Sequence, residues 1–181
     1  MKIGVYVGSF NPPHDGHYHV AKYLINHNYV DKVLLLPTLN YWNKQDLVSV
    51  KDRINMLKFY EEENIIIDDI HNNYSFTYQV LKELEKDYPN DYLYLIIGND
   101  NIINFSKWKY VDKILKHKVI VMNRGNQNIK HYIQKLGQDN FLLVNEFSYI
   151  PVSSSDIRKG SNKYLNIKVL KYIKNNHLYG R

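Results

Sequence analysis

Residues 3–17, IGVYVGSFNPPHDGH, change character twice within a short span. Ile3 to Val7 is an apolar run of strand length, Gly8 to Pro13 is a crossing stiffened by two prolines, and Gly16 and His17 open a helical pattern reaching Asn28. A strand that passes so quickly into a helix is the first half of a β-α-β unit. Further strand-length runs stand at Val33 to Leu36, Ile65 to Ile67, Tyr92 to Ile97, Val119 to Met122 and Phe141 to Val144. Between them lie helical patterns at Val50 to Tyr60, Phe76 to Tyr88, Lys109 to Lys116, Ile129 to Gly137 and Leu165 to Asn176. This alternation predicts an α/β fold: a single doubly wound domain over residues 1–181, with a mainly parallel sheet. Several strands are apolar throughout, so helices are expected on both faces. Ligands of such sheets bind beyond the carboxyl ends of the strands, where the strand order reverses. Chemistry is therefore expected after Val7, after Ile97 and before the last helices.

Composition sets the outer bounds. A chain of 181 residues, 44% hydrophobic and 23% charged, has the profile of one soluble domain with a sizeable core. Cysteine is absent, which excludes disulfides, a thiol nucleophile and cysteine-ligated metal. Met1 to Ser9 reads as a strand rather than a signal segment, and no window approaches the ~20 apolar residues of a membrane span, so a cytoplasmic protein without membrane partners is expected. The net charge is +6, and 20 of the 24 cations are lysine, with alanine appearing once, at Ala21. That is the profile of an AT-rich coding genome, so neither the charge nor the 17 tyrosines argue for nucleic acid. Residues 1–106 carry 9 cations and 14 acids, and residues 107–181 carry 15 cations and 4 acids. The basic C-terminal third suits an anionic ligand, although a solvated face is the simpler reading.

Three segments carry chemistry. In the first, Gly8 permits close backbone approach to a ligand. The start of the helix at Gly16 and His17 offers free N–H groups and the positive end of the dipole to a phosphate, with His14 and His17 as imidazole donors. Zinc is the rival use of His14, His17 and His19, but no cysteine or nearby carboxylate completes a set, and the helix dipole favours an anion. No metal site is expected of these residues. The second segment, Leu95 to Asp100 with Lys107-Trp108-Lys109 downstream, ends a buried strand in Gly98-x-Asp100, where a carboxylate can meet sugar hydroxyls or simply start a helix. Trp108 offers a flat apolar face, for which core packing is the ordinary use. The third, Val152 to Lys159, sets Ser153, Ser154 and Ser155 one turn before Arg158, so that hydroxyls, amides and a guanidinium surround one anion. One serine is explained as an N-cap, but not the whole set.

These motifs, together with Ser75-Phe76-Thr77 and the closing Leu178-Tyr179, span residues 3–179 in an order that resembles the bacterial nicotinate-nucleotide adenylyltransferases. In that family, part of the nucleotidyltransferase superfamily, the T/H-x-G-H signature corresponds to His14-Asp15-Gly16-His17 here. The resemblance implies a Rossmann-like domain that transfers AMP from ATP to nicotinate mononucleotide in NAD biosynthesis, with Mg²⁺ carried on ATP. It assigns Gly8, Ser9, Phe10, His14, His17, Gly98, Asp100, Ser153, Ser154 and Arg158 to ATP, with His17 at the reacting α-phosphate. It assigns Trp108 to stacking on the pyridine, with Ser75, Thr77 and Lys109 shaping that pocket. His14, His17, Arg158 and Lys44 are the expected charge-stabilising groups, since the acceptor's 5′-phosphate is already an anion and needs no general base. Two departures stand out. Asn11 occupies a position where the family usually has Asp, and Pro37 to Lys44 keeps the lysine of the family's P-x-x-x-P-P-H-K but not its histidine. Nicotinamide mononucleotide or pantetheine phosphate as acceptor, or a non-catalytic nucleotide-binding protein, are the rival readings. Nucleic acid is not expected as a partner, because no motif interleaves aromatic and basic residues as an RNA-binding sheet does. A homo-oligomer is compatible with the sequence.

Overall fold

The computed structural model describes residues 1–39, 47–123 and 129–181. Six strands form one sheet: β1 (Lys2–Gly8), β2 (Lys32–Pro37), β3 (Ile65–Ile67), β4 (Tyr92–Gly98), β5 (Lys118–Met122) and β6 (Phe141–Val144). All pairings are parallel, in the order β3-β2-β1-β4-β5-β6. This is the doubly wound order, with its reversal between β1 and β4. Tyr6 pairs with Ile96, so Gly8 and Gly98 end neighbouring strands at the same level of the sheet's carboxyl edge.

Every strand-length run of the sequence became a strand, because each is buried on both sides. Val5, Leu95 and Val121 pack with Val80, Leu81 and Leu84 of α3 (Thr77–Asp87) on one face. Leu35, Ile96 and Ile120 pack with Val20, Ala21 and Leu24 of α1 (Asp15–Asn26) on the other. Two further short helices, α4 (Asn99–Ile102) and α5 (Val111–Ile114), follow β4, and α6 (Lys130–Leu136) follows β5. A third apolar cluster fastens the end of the chain. Met56 of α2 (Val50–Leu57) meets Ile157 of α7 (Ser154–Arg158) and Val169 and Ile173 of α8 (Ile167–Asn175). Full burial of an isoleucine such as Ile157 contributes roughly 1.5–3 kcal/mol, enough to anchor so short a helix beside the β1 loop.

The helices differ from expectation at their ends. The pattern from Val50 to Tyr60 is α-helical only to Leu57 and tightens to a 3₁₀ turn over Lys58–Tyr60, where the Tyr60 hydroxyl donates to Asp15 Oδ1 at 2.9 Å. The pattern from Lys109 shrinks to Val111–Ile114, because Tyr110 adopts left-handed backbone (φ 52°) and blocks an earlier start. Among the described residues no helix is long and apolar enough to cross a membrane.

Candidate active site

α1 begins one residue earlier than the periodicity suggests. His14 is its N-cap, extended at φ −149° and ψ 170°, and is 4% exposed. The His14 and His17 rings stack with centroids 3.7 Å apart, and the edge of Phe10 meets His17 at 4.9 Å. The His14 backbone N–H donates to His17 Nδ1 at 3.2 Å. A backbone N–H can only donate, so Nδ1 is an acceptor and a neutral His17 carries its proton on Nε2. Nε2 is then the donor nitrogen of the ring.

Gly16 makes the stack possible. A Cβ there would stand 2.9 Å from His14 Nδ1 and 3.0 Å from Val152 Cγ1. Gly16→Ala is expected to lower stability by about 1–3 kcal/mol, the usual penalty of overpacking. Thermal denaturation checks it, and an unchanged melting temperature would show that the histidines have room to shift.

A cleft of about 590 Å³ opens at the switch point. Gly8, Ser9, Phe10 and His17 line it from the β1–α1 side, Gly98 and Asp100 from β4 and α4, and Ser154 and Arg158 from α7. Three segments far apart in sequence thus converge on one space. His14 supports this cleft from behind rather than lining it. Ser153 does not line it either: its hydroxyl accepts from Asp156 N–H at 3.1 Å and donates to Asp156 Oδ2 at 2.6 Å, which is N-cap work. Ser154 donates to Pro12 O at 2.8 Å, while Ser155, part of the serine set but not of the residues that the resemblance assigned to ATP, does line the cleft. Gly98 is the N-cap of α4, and a Cβ there would collide with Asp100 Oδ1, so the glycine lets that carboxylate fold back beside the cleft.

The residues expected at the acceptor's pyridine do not line this cleft. Trp108 is half-buried and lies on Phe105, with ring centroids 5.0 Å apart, and packs against the apolar core. Ser75 and Lys109 are exposed, and Thr77 begins α3. Lys44 lies outside the described residues.

Two features were missed. Arg53 of α2 is 1% exposed and donates from Nη1 to Ser9 O at 2.8 Å and from Nε to Val48 O at 3.2 Å. Burial pushes its pKa below the usual guanidinium value. Tyr179 donates to Asn11 Oδ1 at 2.7 Å, and burial pushes its phenol well up, against the pull of Arg158 and Arg53, so its hydroxyl stays a donor. The rarity of arginine was the available signal. The described arginines, Arg53, Arg158 and Arg181, each donate to a backbone carbonyl.

A second hollow, of about 530 Å³, lies on the far side of α1, but Asp15, Glu61 and Glu62 line it and would repel phosphate. Electrostatics select the switch-point cleft. Among the described residues no group of three or more His, Asp or Glu is arranged to hold a metal ion.

A doubly wound sheet with paired imidazoles and a guanidinium at its switch point defines a nucleotidyltransferase-type site, and residues 5–160 match the cytidylyltransferase-like family. The chain is 37% identical to the probable nicotinate-nucleotide adenylyltransferase of Borreliella afzelii, covering 99% of this chain and 97% of that one. It is 33% identical to the corresponding Caldicellulosiruptor bescii protein over 100% of both. A solved Plasmodium falciparum nicotinic acid mononucleotide adenylyltransferase shares the fold, with a TM-score of 0.81 at 23% identity over 99% of this chain and 97% of that one. The chain belongs to the cytidylyltransferase-like family and, within it, to the nicotinate-nucleotide adenylyltransferases.

Proposed function

We propose that residues 1–181 act as a single nucleotidyltransferase domain that transfers AMP from ATP to nicotinate mononucleotide, giving deamido-NAD and pyrophosphate. The observation that carries this reading is the convergence of His17, Ser154, Arg158 and Asp100 on one cleft at the switch point. An oxygen of the mononucleotide's 5′-phosphate attacks the α-phosphorus of ATP. The bond to the β-phosphate oxygen breaks, and pyrophosphate leaves with that electron pair. His17 Nε2–H and the N-terminus of α1 neutralise charge on the α-phosphoryl group, while Arg158 and Ser154 hold the departing phosphates. Asp100 is the one carboxylate lining the cleft among the described residues. That donor set fits Mg²⁺ carried in on the nucleotide's own oxygens rather than a resident ion, and its contribution when bound is to offset charge on the phosphates.

Pyrophosphate release from ATP and Mg²⁺, measured with nicotinate mononucleotide, nicotinamide mononucleotide and pantetheine phosphate in turn, tests the reading. The first acceptor is expected to give the highest kcat/KM, and no release with it overturns the proposal.

By the family resemblance, the acceptor's ring is assigned to Trp108, on the stretch that leaves the cleft after Asp100, with Ser75, Thr77 and Lys109 shaping its pocket. Trp108→Ala is expected to raise the KM for nicotinate mononucleotide by roughly 10-fold, taking ~1–3 kcal/mol for an aromatic–base stack. The KM for ATP should hold, and the melting temperature should fall because the Phe105 contact is lost. A lower melting temperature with both KM values unchanged would make Trp108 a packing residue only.

A further inference from the structure

Arg53 is a cation in an unusual place. It sits one side chain behind the cleft, does not line it, and among the described residues no carboxylate lies within 4.0 Å of it. Asp52, its neighbour in α2, is turned away, accepting from the Ser49 hydroxyl at 2.6 Å and from the Tyr172 hydroxyl at 2.9 Å. Withdrawing a guanidinium from water is expensive unless an anion compensates, and two carbonyl oxygens recover only part of that. The position is also not one that the chain's prevailing lysine could fill, because the two bonds run from different nitrogens, Nε and Nη1, in directions a single ammonium cannot reproduce.

What Arg53 grips matters as much as its charge. Ser9 lines the cleft, and its carbonyl is taken by Arg53. The carbonyl of Asn11 is taken by Arg158 Nη1 at 2.7 Å and that of Pro12 by Ser154. Three carbonyl oxygens of the loop are thus each committed to a donor outside it, which keeps the negative ends of their dipoles off an incoming anion. Val48 joins the same arrangement from both ends, its N–H donating to Asn11 Oδ1 at 3.3 Å and its carbonyl accepting from Arg53.

We propose that Arg53 is a positioning residue for phosphate binding: it holds the Ser9 carbonyl away from the cleft, and its buried charge finds its counter-ion in the bound polyphosphate. This rests on the reading that the cleft takes the phosphates of ATP, and it adds a residue that touches none of them.

Arg53→Lys and Arg53→Gln, compared with wild type for binding of inorganic tripolyphosphate by thermal shift and calorimetry, test the role without requiring turnover. The dissociation constant is expected to rise about 10-fold for lysine, which keeps the charge but loses the fork, and about 30-fold for glutamine. The KM for ATP should follow, while that for nicotinate mononucleotide stays within about twofold. Variants that melt earlier yet bind tripolyphosphate as wild type does would overturn the proposal, as would the failure of both to fold, since each makes Arg53 structural only. A wild-type chain that binds tripolyphosphate through Arg53 but transfers no AMP would sink the assigned reaction and leave the Arg53 role standing. Full transfer with an affinity independent of Arg53 would sink the Arg53 role alone.

Discussion

His17→Ala is expected to lower kcat by on the order of 10²–10³-fold while the chain remains folded, the effect of deleting one preorganised donor to developing negative charge. The ring is fixed before substrate arrives. His14 stacks on it, the edge of Phe10 bounds it, and the His14 backbone N–H occupies Nδ1. Nε2 is the nitrogen that carries the donated proton, and the ring need not turn as the α-phosphoryl group gains charge. Because the bond strengthens in the transition state, kcat should fall more than the KM for ATP rises. Loss of the Nδ1 acceptor removes one bond at the start of α1, a matter of about 1 kcal/mol and not of the fold. Steady-state kinetics with circular dichroism check both halves. A mutant with wild-type kcat would take His17 out of the mechanism.

The sheet was legible because its signal is local. A run such as Leu93 to Ile97, covered on both sides, is apolar at every position and reads as a central strand without knowledge of its neighbours. The loop from Gly8 to His17 was legible for a similar reason, since its chemistry lies in ten consecutive residues. The division of labour among the three serines was not. Ser153 caps α7, Ser154 holds Pro12 and Ser155 faces the cleft, and only the approach of α7 to the β1 loop separates these roles. Arg53 was hidden more thoroughly. On an amphipathic helix an arginine reads as a solvated charge, whereas this one is 1% exposed and bonded to the Ser9 carbonyl of the β1 loop, 44 positions away. Tyr179 reaches Asn11 across 168 positions. Trp108 rests on Phe105, a contact that its motif did not announce. The left-handed start of α5 at Tyr110 likewise leaves no trace in a pattern that is helical from Lys109.

Arg158→Ala should lower kcat/KM for ATP by about 10²-fold or more, since it removes two functions at once. The guanidinium lines the cleft, and it also holds the loop, with Nη1 on Asn11 O at 2.7 Å and Nη2 on Ser155 Oγ at 3.1 Å. Its loss leaves the Asn11 carbonyl without its donor beside the anion site, so a repulsive dipole replaces an attractive charge. Lysine restores the charge but not the fork that spans Asn11 and Ser155, and should recover only part of the loss. The fold should survive, because α7 is anchored by the buried Ile157 rather than by Arg158. The asymmetry between substrates is the decisive readout. The KM for nicotinate mononucleotide should stay within about threefold, because a guanidinium aimed at polyphosphate has no differential contact with the pyridine end of the acceptor. Equal losses for both substrates would mean that Arg158 serves the loop's architecture alone, and the phosphate-binding role would then fall to His17 and the start of α1.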